Sequence, residues 1–161
     1  MDDNVQKTII QKAINSSMHK AISLLAIREH SAVELLTKLT QKGIDENIAD
    51  IVLQQLQEQG LQSDSRFIES FVNERIRRGY GPIKIQYQLL QKGIANELIS
   101  EYVNIDQELW LEKAQIQYQK KYKDTCATDY KEWGKRARFL QGRGFTSEQI
   151  RHSIIMQQDI D

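Results

Sequence analysis

Three short segments of this chain are versions of one another: Leu39-Thr-Gln-Lys-Gly43-Ile44, Leu89-Leu-Gln-Lys-Gly93-Ile94 and Leu140-Gln-Gly-Arg-Gly144-Phe145. Their glycines stand 50 and then 51 residues apart, each with a leucine four positions before it and a large apolar residue directly after. Self-similarity at a period of that length marks stacked supersecondary units. A leucine one turn before a glycine reads as the end of a helix, because glycine takes the left-handed conformation that closes a helix C-terminus.

The residues around each copy place three helices per unit. In the first, Ala21, Ile22, Leu24, Leu25 and Ile27 predict a helix ending near Arg28-Glu29-His30. Ser31 with Glu34 three residues on has capping-box spacing, and Val33, Leu35, Leu36 and Leu39 form the stripe of a second helix closed by Gly43. Asp45 caps a third, with Ile48, Ile51, Val52 and Leu56 on one side. In the second unit, Ser63-Asp64 opens a helix bearing Phe67, Ile68, Phe71, Val72 and Ile76. Gly81-Pro82 starts the next, Pro82 at the first helical position, where its missing N–H costs nothing. Gly81 there aligns with Ser31, and Leu98, Ile99, Tyr102 and Val103 make the last helix of the unit. The third unit carries Leu109, Trp110, Ala114, Ile116 and Tyr118, then Trp133, Ala137, Phe139 and Leu140, then a capping box at Thr146-Ser-Glu-Gln149 before Ile150, Ile154 and Ile155. Tyr122 to Asp129 has no periodicity and is expected to be the longest connection and a locally disordered one.

A single proline and eight glycines in 161 residues disfavour turn-rich β folds. The expected fold is all-α: three tandem three-helix repeats with helix-turn-helix-like turns, in an elongated, slightly curved molecule. The boundaries fall at residues 1–18 for an N-terminal arm or helix, 19–60, 61–106 and 107–158 for the repeats. Helix-turn-helix geometry here is expected to be architectural, since no unit has a recognition helix rich in Arg, Asn and Gln at its start.

No apolar run of 18 residues and no basic-then-apolar leader is present, so a soluble, cytoplasmic chain with no membrane association is expected. Cys126 is the single cysteine and is read as an inert thiol. His19, His30 and His152 lie in different units, and neither a zinc-protease helix motif, a phosphate-binding loop nor a nucleophile elbow occurs. Catalytic residues, metal ligands and cofactors are therefore not expected.

Charge is uneven beneath a net value of zero. Residues 1–65 carry 6 basic and 9 acidic groups, residues 66–111 carry 6 of each, and residues 112–151 carry 10 and 5. A basic third unit on a neutral chain suits either a solvated lysine-rich face or a polyanion partner. The candidate contacts are Arg75, Arg77 and Arg78 with Tyr80, Lys84 and Lys92, close enough to form one patch. Lys131, Lys135, Arg136, Arg138 and Arg143 join them from the third unit, where helical spacing allows a common face. The arginines at 75, 77 and 78 also suit a helix C-terminus as such, where the helix dipole favours cations. Tyr80, Tyr87, Trp110 and Trp133 are stacking platforms for single-stranded bases or core residues, with Tyr80 the better exposed and the tryptophans better suited to the core.

Three segments carry a family likeness in order and at matching separations. They are Ala26-Ile-Arg28-Glu-His-Ser31-Ala-Val-Glu34-Leu35; Asp64-Ser-Arg66-Phe67 with Phe71, Arg75 and Gly79-Tyr80-Gly81-Pro82; and Phe139-Leu140-Gln-Gly-Arg143-Gly144-Phe145. Over residues 20–155 the chain resembles RecX, the bacterial regulatory protein of the RecA recombinase. The resemblance implies a non-enzymatic monomer whose partners are RecA and the RecA filament on single-stranded DNA. It also implies binding in the filament groove with inhibition of ATP hydrolysis, strand exchange and co-protease activity, and so modulation of DNA repair and the SOS response. Strongly basic character, expected in some relatives, is absent overall here, so independent DNA binding is expected to be weak. The competing expectation is a helical single-stranded-DNA-binding protein that competes with RecA for DNA.

Overall fold

The computed structural model describes residues 2–104 and 106–156. Among these residues there are nine helices: α1 (Asp2–Ile27), α2 (Ala32–Gln41), α3 (Glu46–Glu58), α4 (Asp64–Arg77), α5 (Pro82–Gln91), α6 (Asn96–Val103), α7 (Gln107–Tyr122), α8 (Tyr130–Arg143) and α9 (Ser147–Ser153). They fall into two compact units, residues up to 70 with 92–94, and residues 71–91 with 95 onward.

In the first unit α1 runs unbroken from Asp2, so the stretch read as an arm or a helix is helical. Its Ile14 and Ala21 join Leu35, Leu39, Ala49, Val52 and Leu56 in one buried cluster. Ser31 caps α2 by accepting from the Glu34 N–H. The other half of the expected capping box is absent. The Glu34 carboxylate instead takes two charge-assisted bonds from Arg28 (2.7 and 2.9 Å) and one from Lys92 (2.9 Å), because two cations outcompete one neutral amide. Burial pushes the Glu34 carboxyl up, but the bonds from Arg28 and Lys92 overcome it and hold it at about 2.

His30, 1% exposed, sits beside this triad with Nδ1 3.0 Å from the Arg28 carbonyl and Nε2 3.1 Å from Lys38 Nζ. Burial lowers its proton affinity; the Arg28 carbonyl opposes this, while the Arg28 and Lys38 charges reinforce it. Both groups therefore bind protons less readily folded than unfolded. The stability they contribute is present at neutral pH. The His30 part is complete above about 6.5 and is lost as pH falls below that, and the Glu34 part as it falls from about 4.5 toward 2. Urea midpoints measured from pH 8 to 3 should decline in these two windows. Glu34→Gln should lower the midpoint at pH 7, and its deficit against wild type should narrow below about pH 4.5.

The repeated glycine turns are seated in a regular way. Ser31 Oγ donates to the Lys92 carbonyl at 2.8 Å, and a Cβ on Gly93 would lie 2.5 Å from Val33 Cγ2, so the second turn is lodged on the start of α2. In the second unit the Gly81 and Ile83 N–H groups donate to the Arg143 and Gly144 carbonyls at 2.7 and 2.9 Å, so the third turn is lodged on the start of α5. A Cβ on Gly81 would stand 2.5 Å from Gly144 C, and one on Gly144 2.4 Å from Lys84 Cβ, with Gly144 also at φ +94°. Gly43, at φ +83°, has nothing within 4 Å of such a Cβ. Gly144→Ala combines left-handed strain with overpacking and should cost about 3 kcal/mol, whereas Gly43→Ala meets only the strain and should cost about 1. Thermal melts check the difference, at about 2–4 °C per kcal/mol for a chain this size.

The second unit buries Ile85, Leu89, Ile99, Val103, Trp110, Ala114, Leu140, Phe145 and Ile150. Trp110 is 4% exposed and donates from Nε1 to the Val103 carbonyl at 2.7 Å, while Trp133 is only half-buried. The capping box at Thr146 and Gln149 is fully formed. Residues 123–129 are not the loose connection expected: Ala127 is buried and bridges to Met156, and the Thr125 and Cys126 carbonyls both accept from Arg136. Cys126 is half-buried and free.

Candidate functional site

The second unit carries a row of aromatic rings with cations laid over them. Helical spacing starts it: Phe71 to Arg75 on α4 and Phe139 to Arg143 on α8 are both four residues apart, which puts each arginine on the same helix face as its ring. Arg75 lies 4.6 Å from the Phe71 ring centroid and 5.9 Å from that of Tyr80. Tyr80, in the turn before α5, also receives Lys84 Nζ at 4.5 Å and Arg143 at 5.9 Å. Arg143 continues to Phe139 at 5.6 Å, where Lys121 of α7 sits 4.0 Å away. Tyr122 meets Phe139 edge-on, centroids 5.8 Å apart.

Each cation is held by the negative face of a ring, a contact that fixes a long side chain without neutralising it. Glu74 pairs with Arg75 at 3.6 Å and with Arg78. Among the described residues no carboxylate forms an ion pair with Lys84, Lys121 or Arg143. Arg143 instead donates to the Arg78 carbonyl at 3.1 Å. Unneutralised cations gathered this closely repel one another, and an anionic partner relieves that repulsion. Because the rings already hold the side chains in place, such a partner meets a partly ordered face and loses less entropy on binding.

The structure thus brings together Arg75, Arg78, Tyr80, Lys84 and Arg143, with Arg77 exposed at the end of α4. Lys131, Lys135 and Arg138 are exposed along an outer stripe of α8, one helical row from Phe139 and Arg143. Two expected members leave the set. Lys92 is packed in the first unit and bound to Glu34. Arg136 is 3% exposed and turned inward, where it donates to the Tyr118 hydroxyl, the Thr125 and Cys126 carbonyls and Glu132. The Arg136 bond, followed by those from Thr128, holds the Glu132 carboxyl at about 2. Phe71, Phe139 and Lys121 belong to the row without being among the contacts expected from sequence. The two phenylalanines looked like core, although the four-residue step to an arginine marks them; Lys121 reaches the row from another helix and has no sequence signal.

Tyr80 is half-buried and Lys84 lies over its ring, so a base could stack on that side only by displacing the lysine. The face is better suited to phosphates or carboxylates than to bases. Clefts of about 500 and 420 Å³ elsewhere in the unit, around Gln86 and Asn104 and around Trp133 and Ile150, hold no convergent acid–base pair. Among the described residues no His, Cys, Asp and Glu group could hold a metal, and no helix is long and apolar enough to cross a membrane.

Family models for the first, second and third three-helix domains of RecX match residues 18–56, 63–103 and 107–154. "Regulatory protein RecX" of Legionella pneumophila (strain Corby) is 39% identical over 137 residues, 85% of this chain and 91% of that protein. That of Pseudomonas fluorescens (strain SBW25) is 34% identical over 154 residues, covering 96% and 99%. The backbone is similar to a crystal structure of regulatory protein RecX, with a TM-score of 0.79 at 19% identity over 95% of this chain and 77% of that one. It is also similar to RecX from Lactobacillus salivarius, with a TM-score of 0.75 at 21% identity over 88% and 94%. With all three domains matched in order and two relatives above 30% identity along most of their length, the chain belongs to the RecX family of regulatory proteins, which are not enzymes.

Proposed function

We propose that this protein binds RecA and the filament RecA forms on single-stranded DNA, and there inhibits recombination, ATP hydrolysis and co-protease activity. Through that inhibition it modulates DNA repair and the SOS response in the cytoplasm. It acts as a monomer, by steric and allosteric means: lodged in the filament groove, it hinders the growth of the filament and its closure around nucleotide. The observation that carries the reading is the cation–aromatic row of Arg75, Tyr80, Lys84, Arg143, Phe139 and Lys121, which offers a pre-arranged positive face to acidic side chains or DNA phosphates within the filament.

The same row gives the second reading, direct competition for single-stranded DNA, its one specific support. Zero net charge weakens that reading, as does Lys84 over the Tyr80 ring. Fluorescence anisotropy separates the two. Binding to a preformed RecA filament should be at least about tenfold tighter than to the same bare oligonucleotide, and less salt-dependent. Equal affinity for both, with a steep salt slope, would favour the competitor.

A further inference from the structure

The first glycine turn is a copy of a turn whose binding site is visible. Gln41-Lys42-Gly43-Ile44 and Gln91-Lys92-Gly93-Ile94 are identical tetrapeptides. The second is seated on the N-terminus of α2: its Lys92 carbonyl accepts from Ser31 Oγ, its Lys92 ammonium reaches Glu34, Gly93 abuts Val33, and Ile94 is 3% exposed. The first turn is unseated. Lys42 and Gly43 are exposed, Ile44 is half-buried, and no atom lies within 4 Å of a Cβ built on Gly43. Left-handed φ explains why a glycine stands at position 43, and Ile44 packs against the core of the first unit, but neither gives a reason for the exposed lysine before them.

We infer that the Lys42-Gly43-Ile44 turn is a docking element for the N-terminus of a helix on a RecA protomer. The α2 site defines the partner's chemistry: a hydroxyl N-cap to donate to the Lys42 carbonyl, an apolar residue two positions on to pack against Gly43, and a glutamate three positions on to receive the Lys42 ammonium. The glutamate matters. At the start of α5 the third position is Lys84, and the turn seated there contributes Arg143, so that site holds its turn without a carboxylate, by backbone bonds and the Arg143 bond to the Arg78 carbonyl. A lysine-bearing turn therefore selects the acidic version.

Among the described residues of a second copy, only the start of α2 joins a hydroxyl cap to a glutamate three positions on. The starts of α2 and α5 are occupied. At the start of α8, Asp129 holds the cap position and bonds the Glu132 N–H, Lys131 stands where Val33 does, and Glu132 is committed to Arg136 and Thr128. A turn approaching there would set its carbonyl against the Asp129 carboxylate and Lys42 against Lys131.

The inference rests on RecA being the partner, and the test keeps the two apart. Wild type and Lys42→Glu are titrated onto the same preformed filament, and a full-length Gln41→p-benzoylphenylalanine variant is photo-crosslinked to it. Lys42 has no side-chain partner among the described residues, so Lys42→Glu should keep the wild-type melting temperature while binding about tenfold more weakly. Crosslinks should map to one RecA helix N-terminus with a Ser or Thr cap and a glutamate three residues later. Filament binding by wild type with unchanged Lys42→Glu affinity, or crosslinks anywhere else on RecA, would overturn the docking while leaving the proposed function intact. No filament binding by wild type would remove both. A concentration-dependent dimer abolished by Lys42→Glu would assign the turn to a second copy and overturn the inference.

Discussion

Replacing Arg136 by methionine is expected to lower stability by about 3 kcal/mol, because a buried guanidinium that serves several acceptors is lost and each acceptor left unsatisfied costs about 1–3 kcal/mol. The side chain is 3% exposed and bonds to Tyr118, Thr125, Cys126 and Glu132, while its guanidinium packs 4.7 Å from the Tyr122 ring. Methionine fills much of the volume but removes the donor to the Cys126 carbonyl and leaves the Tyr118 hydroxyl and the Thr125 carbonyl with only the bond between them. The segment between α7 and α8 should then loosen, because among the described residues only Arg136 bonds the Cys126 carbonyl, while Ala127 stays tied to the Ile155 carbonyl. Thermal unfolding should shift down by about 10 °C. Hydrogen exchange should accelerate at residues 123–129 before it does so in α5 or α6. A shift under about 2 °C would mean that water substitutes for the guanidinium and that Arg136 is not the clamp described.

The second large effect concerns function. Lys84→Glu with Lys121→Glu reverses two cations that lie over Tyr80 and Phe139 and have no acidic partner among the described residues. The double variant should lose about a hundredfold in affinity for the RecA filament, since each charge reversal at an electrostatically matched interface typically costs a factor of ten or so. Its melting temperature should change by no more than about 3 °C, because each substitution removes only a weak cation–π contact. Lys84→Gln with Lys121→Gln should fall between the two. Filament affinity within threefold of wild type for the folded double variant would exclude this face from the contact.

Much of this arrangement is legible in the chain itself because it depends on local rules. The glycine turns, the caps at Ser31, Asp45 and Thr146, Pro82 at the start of α5 and the buried stripe of each helix are all set by residues within a few positions of one another. What escaped depends on residues far apart. Glu34 has capping-box spacing, yet Lys92, 58 positions away, draws its carboxylate elsewhere. Arg136 belongs by spacing to a basic helix and by packing to the interior, and nothing in its neighbours tells which side of α8 faces Tyr118. The row around Tyr80 is half legible: the four-residue steps from Phe71 to Arg75 and from Phe139 to Arg143 can be read, but their convergence depends on seating the third glycine turn against Gly81.

That seating also links architecture to charge. The contact that holds Gly144 against α5 brings Arg143 beside Tyr80 and Lys84, so the residues that stack the helices also assemble the positive face. At the α2 site the same geometry instead draws Lys92 onto the Glu34 carboxylate that Arg28 also bonds. One structural device thus yields a sealed joint in one place and an anion-seeking surface in the other, according to a single residue three positions into the receiving helix.

The measurement that tests the central claim most directly is RecA ATP hydrolysis on single-stranded DNA, followed as this protein is added with DNA in excess of what it could sequester. Filament-directed regulation predicts inhibition at well below one molecule per RecA protomer, and its loss in the Lys84→Glu and Lys121→Glu double variant. Hydrolysis that stays unchanged, or that falls only when the protein is abundant enough to cover the DNA, would contradict it.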